Sequence, residues 1–338
     1  VAWLKQLGAQ VYGYGLPPAS RPNFFDTTLL DRGMTSIFGD VRDRKSLANV
    51  FAEFQPEIVI HCASRSNAEL AQEDPVETFS TNVMGTVFVL EEARLSESVR
   101  AVVHVTSASE PENSSRKTET GGTSIHEASM ACSDLARAAY AKCFLSGTRT
   151  AVATTRMADV IGGGDWRPSR IVPNLVRSLM AGEPVNLDGQ RVHIWHVLDA
   201  VYALLLMAQK VFDCGERYSE VWDFGPAKGC LISASELASN FVALWDAAEL
   251  ASHAGEDAIT TSNHSRNEQE VGRFNFLNVQ QAIAWTVHWY RAFYADAGTV
   301  WRVTEDQIER YMQMTMACGM AAQDDDAIWE RSARGQDP

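Results

Sequence analysis

A doubly wound α/β fold, with a mostly parallel sheet and a smaller C-terminal substrate lobe, is what this sequence predicts, on three observations. Continuous apolar runs of strand length recur, as in Glu57–Ala63 and Ala101–Ser107, and strands buried on both faces of a parallel sheet read in this way. Helical segments separate those runs at the spacing of β-α-β units. Turns rich in Gly and Pro, Gly162-Gly163-Gly164 and Gly225-Pro226, close two of the strands.

Taken in order, residues 1–8 end in Gly8 and read as the close of an amphipathic helix stopped by a glycine cap. Ala9–Tyr14 alternates like a strand. A fold of this type places a strand and a Gly-rich turn before such a helix, where backbone amides meet a pyrophosphate. The sequence opens after that place, and Gly8, Gly13 and Gly15 do not supply the turn. The first residue is Val1 and the first methionine is Met34, which points to a fragment, a trimmed chain or an alternative start codon.

Ile37–Asp43 gives a strand end and a turn, and a helix follows through Leu47, Val50, Phe51 and Phe54. Thr81–Thr86 begins a helix that continues through Val89 and Leu90. A further helix occupies residues 122–144, and Thr150–Ile161 is a strand. Helices are expected from about Val172 to Met180, from His196 through Ala208, and after a capping box at Ser233–Glu236. Residues 251–272 read as a loop, 280–294 and 304–316 as two helices. These boundaries give a Rossmann-like nucleotide-binding domain over 1–165, a mixed lobe over 166–320 with part of the chain returning to the main sheet, and a polar, frayed tail over 321–338.

The 338 residues suffice for a large core. A formal charge of −14 argues against nucleic acid or an anionic membrane as the main partner, since both attract basic faces. The six cysteines show neither a C-x-x-C pair nor metal-ligand spacing, so no metal is expected and the thiols read as reduced. With no leader and no long apolar run in the sequence, a cytoplasmic location is expected.

Several stretches together carry a resemblance: Gly39-Asp-Val-Arg-Asp43, Thr81-Asn-Val-Met-Gly-Thr86, Val160-Ile-Gly-Gly-Gly-Asp-Trp166, His196-Val-Leu198, Trp222-Asp-Phe-Gly-Pro226, His288-Trp-Tyr-Arg291 and Gln307–Met312. In this order the chain resembles the extended short-chain dehydrogenase/reductases, and among them the CDP-glucose 4,6-dehydratases. That resemblance implies bound NAD, which oxidises a nucleotide sugar at C4 and returns the hydride to C6 after water is eliminated. It implies a Gly-rich cradle, a Tyr-x-x-x-Lys pair on one helix face, and acid and base groups for the elimination. A Lys one turn from a Tyr lowers the pKa of a phenol that ordinarily titrates near 10.

Carried over residue by residue, Asp40 and Val41 match the pair that meets adenine, Ala63 the strand end beside the cofactor, and Asn82 an Asn near it. The Tyr and Lys places hold His126 and Met130, and none of the eight tyrosines is followed four residues later by Lys. The elimination motif becomes Ser107-Ala108-Ser109, which keeps the hydroxyl of Ser107 but loses the acid and its neighbour. His126 could serve as a base, since imidazole titrates near neutrality; the plainer reading is a polar residue at a helix start. On the sugar-nucleotide side, Asp159 stands where the resemblance implies Asn, and Arg170-Ile-Val-Pro173 matches a segment that helps to hold the nucleotide. Val192–His196 lacks a phosphate-facing Arg unless Arg191 takes over, and His196 completes that set.

Losing groups that act as a unit removes most of a rate. The expectation is therefore a homologue that binds a nucleotide sugar, with NAD binding in doubt and dehydration lost or greatly weakened. Two other readings stand beside it: altered chemistry in the same pocket, and an active dehydratase in a truncated sequence. Ala131, Leu135, Ala138 and Ala139 give the 122–144 helix a small apolar face suited to a homodimer.

Overall fold

The computed structural model describes residues 1–107, 124–168, 170–183, 191–246 and 266–333. Ala108 and Ser109 lie outside them. Ten of the strands and helices form the N-terminal half of the fold: α1 (Ala2–Gln6), β1 (Tyr12–Gly15), α2 (Phe24–Thr27), β2 (Thr35–Phe38), α3 (Arg44–Phe54), β3 (Ile58–His61), α4 (Ala68–Glu73), α5 (Pro75–Phe79), α6 (Gly85–Leu95) and β4 (Ala101–Ser107). Capping side chains set several starts: Asp43 accepts from the Ser46 amide ahead of α3, and Asp74 from the Glu77 amide ahead of α5, whose first residue is Pro75. A π-helical turn, Ser80–Met84, joins α5 to α6.

α7 (Ile125–Tyr140) opens on a complete capping box between Ser124 and Glu127. Then follow β5 (Ala151–Met157), α8 (Ile171–Ala181), β6 (Arg191–His193), α9 (Val197–Cys214), β7 (Val221–Phe224), β8 (Leu231–Ser233), α10 (Ala234–Asp246), α11 (Arg266–Val271), α12 (Val279–Ala295) and α13 (Val300–Ala333). Two of these differ from the sequence reading. α11 replaces the end of the loop expected over 251–272. α13 runs to Ala333, past the start of the expected tail, because residues 320–333 contain neither Gly nor Pro and are rich in good helix formers.

The sheet is parallel, as expected, but divided. β3, β4, β5 and β7 pair in that order, so the chain beyond 166 returns to the main sheet through β7. β1 pairs with β2 as a separate parallel couple. Among the described residues no backbone hydrogen bond joins β1 to β3. β6 and β8 form an antiparallel ribbon in the C-terminal lobe, which three-residue strands left invisible to periodicity.

Four apolar clusters hold this arrangement. α3 and α6 cover one side of the sheet through Leu47, Phe51, Val89 and Leu90 against Val102 and Val152. α9 covers the other through Ala203, Met207 and Val211 against Trp222 and Phe224. The lobe packs α8, α10 and α12 through Leu175, Phe241, Ile283 and Tyr290. Trp3 of α1 joins Leu198 and Tyr311, tying the chain start to α9 and α13. At Gly163 and Gly164 the backbone passes so close to Trp289 and Phe24 that a Cβ has no room, and Gly164 has a φ of +80°.

Candidate functional site

A cavity of about 570 Å³ opens between the β1–β2 couple and the main sheet. Asp40 and Val41, just after β2, and Ala63, just after β3, all line it, together with Gly15 and Leu16 after β1. Three of the four cofactor positions expected from the sequence thus border one cavity. They sit at the C-terminal ends of parallel strands, where open α/β sheets hold their ligands.

Asp40 is already engaged. Its carboxylate takes two hydrogen bonds from the Arg42 guanidinium, at 2.9 and 2.6 Å, and one from the Arg42 amide. The Arg42 side-chain hydrogen bonds hold the Asp40 carboxyl below its ordinary pKa. Arg42 also reaches Glu77 at 2.5 Å, and Glu77 faces Arg65 at 3.9 Å. Asp40, Arg42, Glu77 and Arg65 therefore form an alternating row of charges along the cavity wall. Sequence reasoning took Arg42 only as part of a turn and singled out neither Arg65 nor Glu77 as a site residue, since local spacing cannot bring the three together.

Asn82 is placed otherwise. It is buried, its carbonyl accepts from the Arg65 amide at 2.7 Å, and its NH₂ donates to Ser129 Oγ at 2.8 Å. It bridges the loop after β3 to α7 and does not line the cavity.

His126 stands in the first turn of α7, where Nδ1–H donates to the Arg65 carbonyl at 3.1 Å. In the neutral ring this leaves Nε2 with the lone pair. Met130, one turn on, is only 7% exposed. Ser107 is exposed at the end of β4, and among the described residues no hydrogen bond links it to His126. The structure thus has a hydroxyl and an imidazole near strand and helix ends, without an ammonium one turn from the imidazole.

Below this wall lies a buried imidazole pair. His61 and His104 stack with centroids 5.4 Å apart, and His61 Nε2–H donates to Thr86 Oγ1 at 3.0 Å. Burial lowers the pKa of His61 to about 3 and of His104 to about 4, with the neighbouring His104 adding to the first and Arg137 to the second. Both are neutral structural residues at physiological pH.

The positions expected to face the sugar nucleotide are spread more widely. Arg170 caps α8 and pairs with Asp159 at 2.5 Å. Arg167 likewise pairs with Asp165 at 2.7 Å. Pro173 is buried in the first turn of α8, and Arg191 is exposed at the start of β6. His196 is buried as the N-cap of α9, where its Nδ1 accepts from the Leu198 amide at 3.2 Å; burial pushes its pKa down to about 3. It shapes the helix start from within the core.

The residues present fit only half of a dinucleotide. Asp40 and Val41 can border an adenosine, but no Gly-rich turn opening a helix occurs among the lining residues, so the pyrophosphate has no cradle of amides there. No cluster of metal-ligating side chains occurs among the described residues, and none of their helices is long and apolar enough to cross a membrane.

The model of the NAD dependent epimerase/dehydratase family matches residues 3–219. The CDP-glucose 4,6-dehydratase of Salmonella typhimurium is 32% identical over 309 residues, 86% of each chain. The dTDP-glucose 4,6-dehydratase of Streptomyces antibioticus is 27% identical over 282 residues, 77% of each chain. Among solved structures, a UDP-glucose 4-epimerase from Thermotoga maritima with UDP-glucose superposes with a TM-score of 0.66 at 16% identity, covering 86% of this chain and 94% of that one. A double mutant of a Streptomyces venezuelae dTDP-glucose 4,6-dehydratase, with NAD bound, gives 0.64 at 24% identity, covering 86% and 92%. With the parallel sheet and these matches in place, the chain belongs to the NAD dependent epimerase/dehydratase family.

Proposed function

We propose that this protein is a nucleotide-sugar-binding homologue of the CDP-glucose 4,6-dehydratases in which NAD-dependent dehydration is lost or greatly weakened. One observation carries the reading: the helix face that needs a phenol and an ammonium presents His126, hydrogen-bonded to the Arg65 carbonyl, and a buried Met130. NAD, when bound in such a protein, supplies the hydride acceptor and donor. The residues here supply little else for the cycle. An imidazole at 126 can take a proton at Nε2, but Met130 can neither stabilise the conjugate base of a neighbour nor donate a hydrogen bond to a ribose.

The nucleotide-sugar part of the proposal rests on the sequence match and on Arg170, whose guanidinium can make paired bonds to phosphate. Calorimetric titration with CDP-glucose and, separately, NAD⁺ tests binding. Incubation with both, followed for a 4-keto-6-deoxy product, tests chemistry. Binding of CDP-glucose without product is the expected result; product at ordinary enzymatic rates, about 1 s⁻¹ or faster, overturns the proposal.

Altered chemistry in the same pocket is the second reading. It is favoured by the lone pair left on His126 Nε2 and the exposed Ser107 hydroxyl. Consumption of a nucleotide sugar to a product other than the 4-keto-6-deoxy sugar, lost in His126→Ala, distinguishes it.

A further inference from the structure

Asn82 sits at the middle of the π-helical turn Ser80–Met84 that joins α5 to α6. A turn of this kind holds one residue more than an α-helical one and commonly marks a functional site. From it the Asn82 side chain reaches both Arg65, in the loop after β3, and Ser129 of α7. The backbone behind it is anchored as well. The Thr86 hydroxyl donates to the Asn82 carbonyl at 2.6 Å, and Thr86 Oγ1 accepts in turn from His61 Nε2–H. Asn82 is only 1% exposed, and Ser129 is fully buried.

The donors and acceptors of this set leave one place for each proton. The Arg65 amide can only donate, so the side-chain oxygen of Asn82 faces it at 2.7 Å, and the NH₂ group points to Ser129 Oγ at 2.8 Å. Ser129 Oγ accepts that bond and sends its own proton to the His126 carbonyl, 2.7 Å away. The Arg65 carbonyl can only accept, and it takes bonds from the same NH₂ group at 3.3 Å and from His126 Nδ1 at 3.1 Å. The proton of the neutral ring is therefore on Nδ1. The set closes on itself: Asn82 holds both backbone groups of Arg65, Arg65 holds the imidazole, and Ser129 holds the backbone that carries the imidazole. An unconstrained imidazole can carry its proton on either nitrogen.

We infer that Asn82 is a positioning residue for His126: through the Arg65 backbone and Ser129 it fixes the neutral imidazole as the Nδ1–H tautomer and leaves Nε2 as an acceptor of fixed direction. The ring is half-buried, and Nε2 has no partner among the described residues. The ligand group suited to such a nitrogen is a hydroxyl that donates to it, as a sugar offers; that use rests on the reading of altered chemistry in the same pocket. Asn82, buried behind the loop, acts only through His126.

Long-range ¹H–¹⁵N correlation spectra of the ¹⁵N-labelled chain test this, because a ring nitrogen that carries a proton and one that carries a lone pair resonate far apart. The chain has eight histidines, and the set of signals lost in His126→Gln assigns the ring. At about pH 9, where imidazoles are neutral, the proton is expected on Nδ1 over Nε2 by about tenfold or more. Asn82→Ala is expected to lower that ratio by about fivefold or more. Ser133→Ala, which removes a buried hydroxyl of α7 outside the set, is expected to leave it unchanged. A wild type with its proton on Nε2 overturns the inference, and so does a ratio in Asn82→Ala that matches the wild type or falls no further than in Ser133→Ala. Should Asn82→Ala not fold, Ser129→Ala decides: it cuts the set at α7 and is expected to lower the ratio by about twofold or more, and an unchanged ratio there overturns the inference. The tautomer is read on the chain without substrate, so a failure to bind CDP-glucose counts against the proposed function alone.

Discussion

The Asp159 carboxylate lies 2.5 Å from the Arg170 guanidinium, so the cation that a nucleotide diphosphate could use is already paired with an internal anion. The pair is substantially exposed and itself contributes little to stability. Its effect falls on ligand charge. Replacing Asp159 by Asn removes the competing carboxylate and is expected to tighten binding of CDP or CDP-glucose by about tenfold, roughly 1.4 kcal/mol, while Arg170→Ala abolishes the gain. Calorimetric titration of the wild type, the single variants and the double variant measures both effects.

An ammonium at position 130 carries a cost. Met130, in α7, is nearly fully buried, and a lysine there must carry charge into the core or lose its proton. Met130→Lys is expected to destabilise the protein by about 2 kcal/mol or more, and the double variant with His126→Tyr is expected to form no 4-keto-6-deoxy product. Urea denaturation, with product assays on the double variant, checks this.

Much of the main sheet could be read from sequence because its signals are local. Ala101–Ser107 matches β4 residue for residue, since a strand buried on both faces is a continuous apolar run. Ser233–Glu236 marked the start of α10, where the Glu236 amide bonds Ser233 Oγ at 3.1 Å. The site was less legible. Asp40, Val41 and Ala63 came together as the resemblance implied, but the Asp40–Arg42–Glu77–Arg65 row depends on the Arg42–Glu77 contact, 35 residues apart in sequence. His196 and Asn82 read as ligand-facing because motif position says nothing about burial.

His61, His104 and His196 are buried and neutral, with pKa values lowered to about 3, 4 and 3. Each unfolded imidazole takes up a proton near pH 6.5 that the folded state refuses. Their contribution is present above about pH 6.5 and is lost as pH falls toward about 3 to 4. His104→Gln, which keeps a polar group beside Thr86 and Thr154, is expected to lower the acid slope of stability by about one proton, or about 1.4 kcal/mol per pH unit. Denaturant midpoints from pH 4 to pH 7 give that slope.

Asp199 acts in the opposite sense. It accepts from Tyr311 OH at 2.6 Å and from the Phe276 amide at 2.9 Å, yet burial raises its pKa to about 7. A carboxyl raised above its unfolded value favours folding in the protonated form. That contribution is complete below about pH 4 and is lost as pH rises through about 7. Asp199→Asn, which cannot ionise, is expected to gain about 4 kcal/mol relative to the wild type between pH 4 and pH 8, read from paired melts at the two pH values.

The exposed face of α7 offers a test of assembly. Leu135 is 71% exposed, and Ala138 and Ala139 also face solvent. A homodimer through this face is expected at micromolar concentration, and Leu135→Glu is expected to shift it to the 37.3 kDa monomer. Size-exclusion chromatography with light scattering reports the mass directly.

The division between β1–β2 and the main sheet also bears on cooperativity. Among the described residues no hydrogen-bonded ladder joins the couple to β3; it is held by Tyr14 against the cluster of α3 and α6, by Tyr12 on Phe54 and by the Arg42–Glu77 pair just after β2. Such a segment can open while β3, β4, β5 and β7 stay paired, so unfolding should divide into an early and a late transition. A single melting temperature then ceases to describe the molecule. Amide hydrogen exchange at Ser36 and Ile37 of β2 would report the first step, and at Val103 and Ala153 of the main sheet the second.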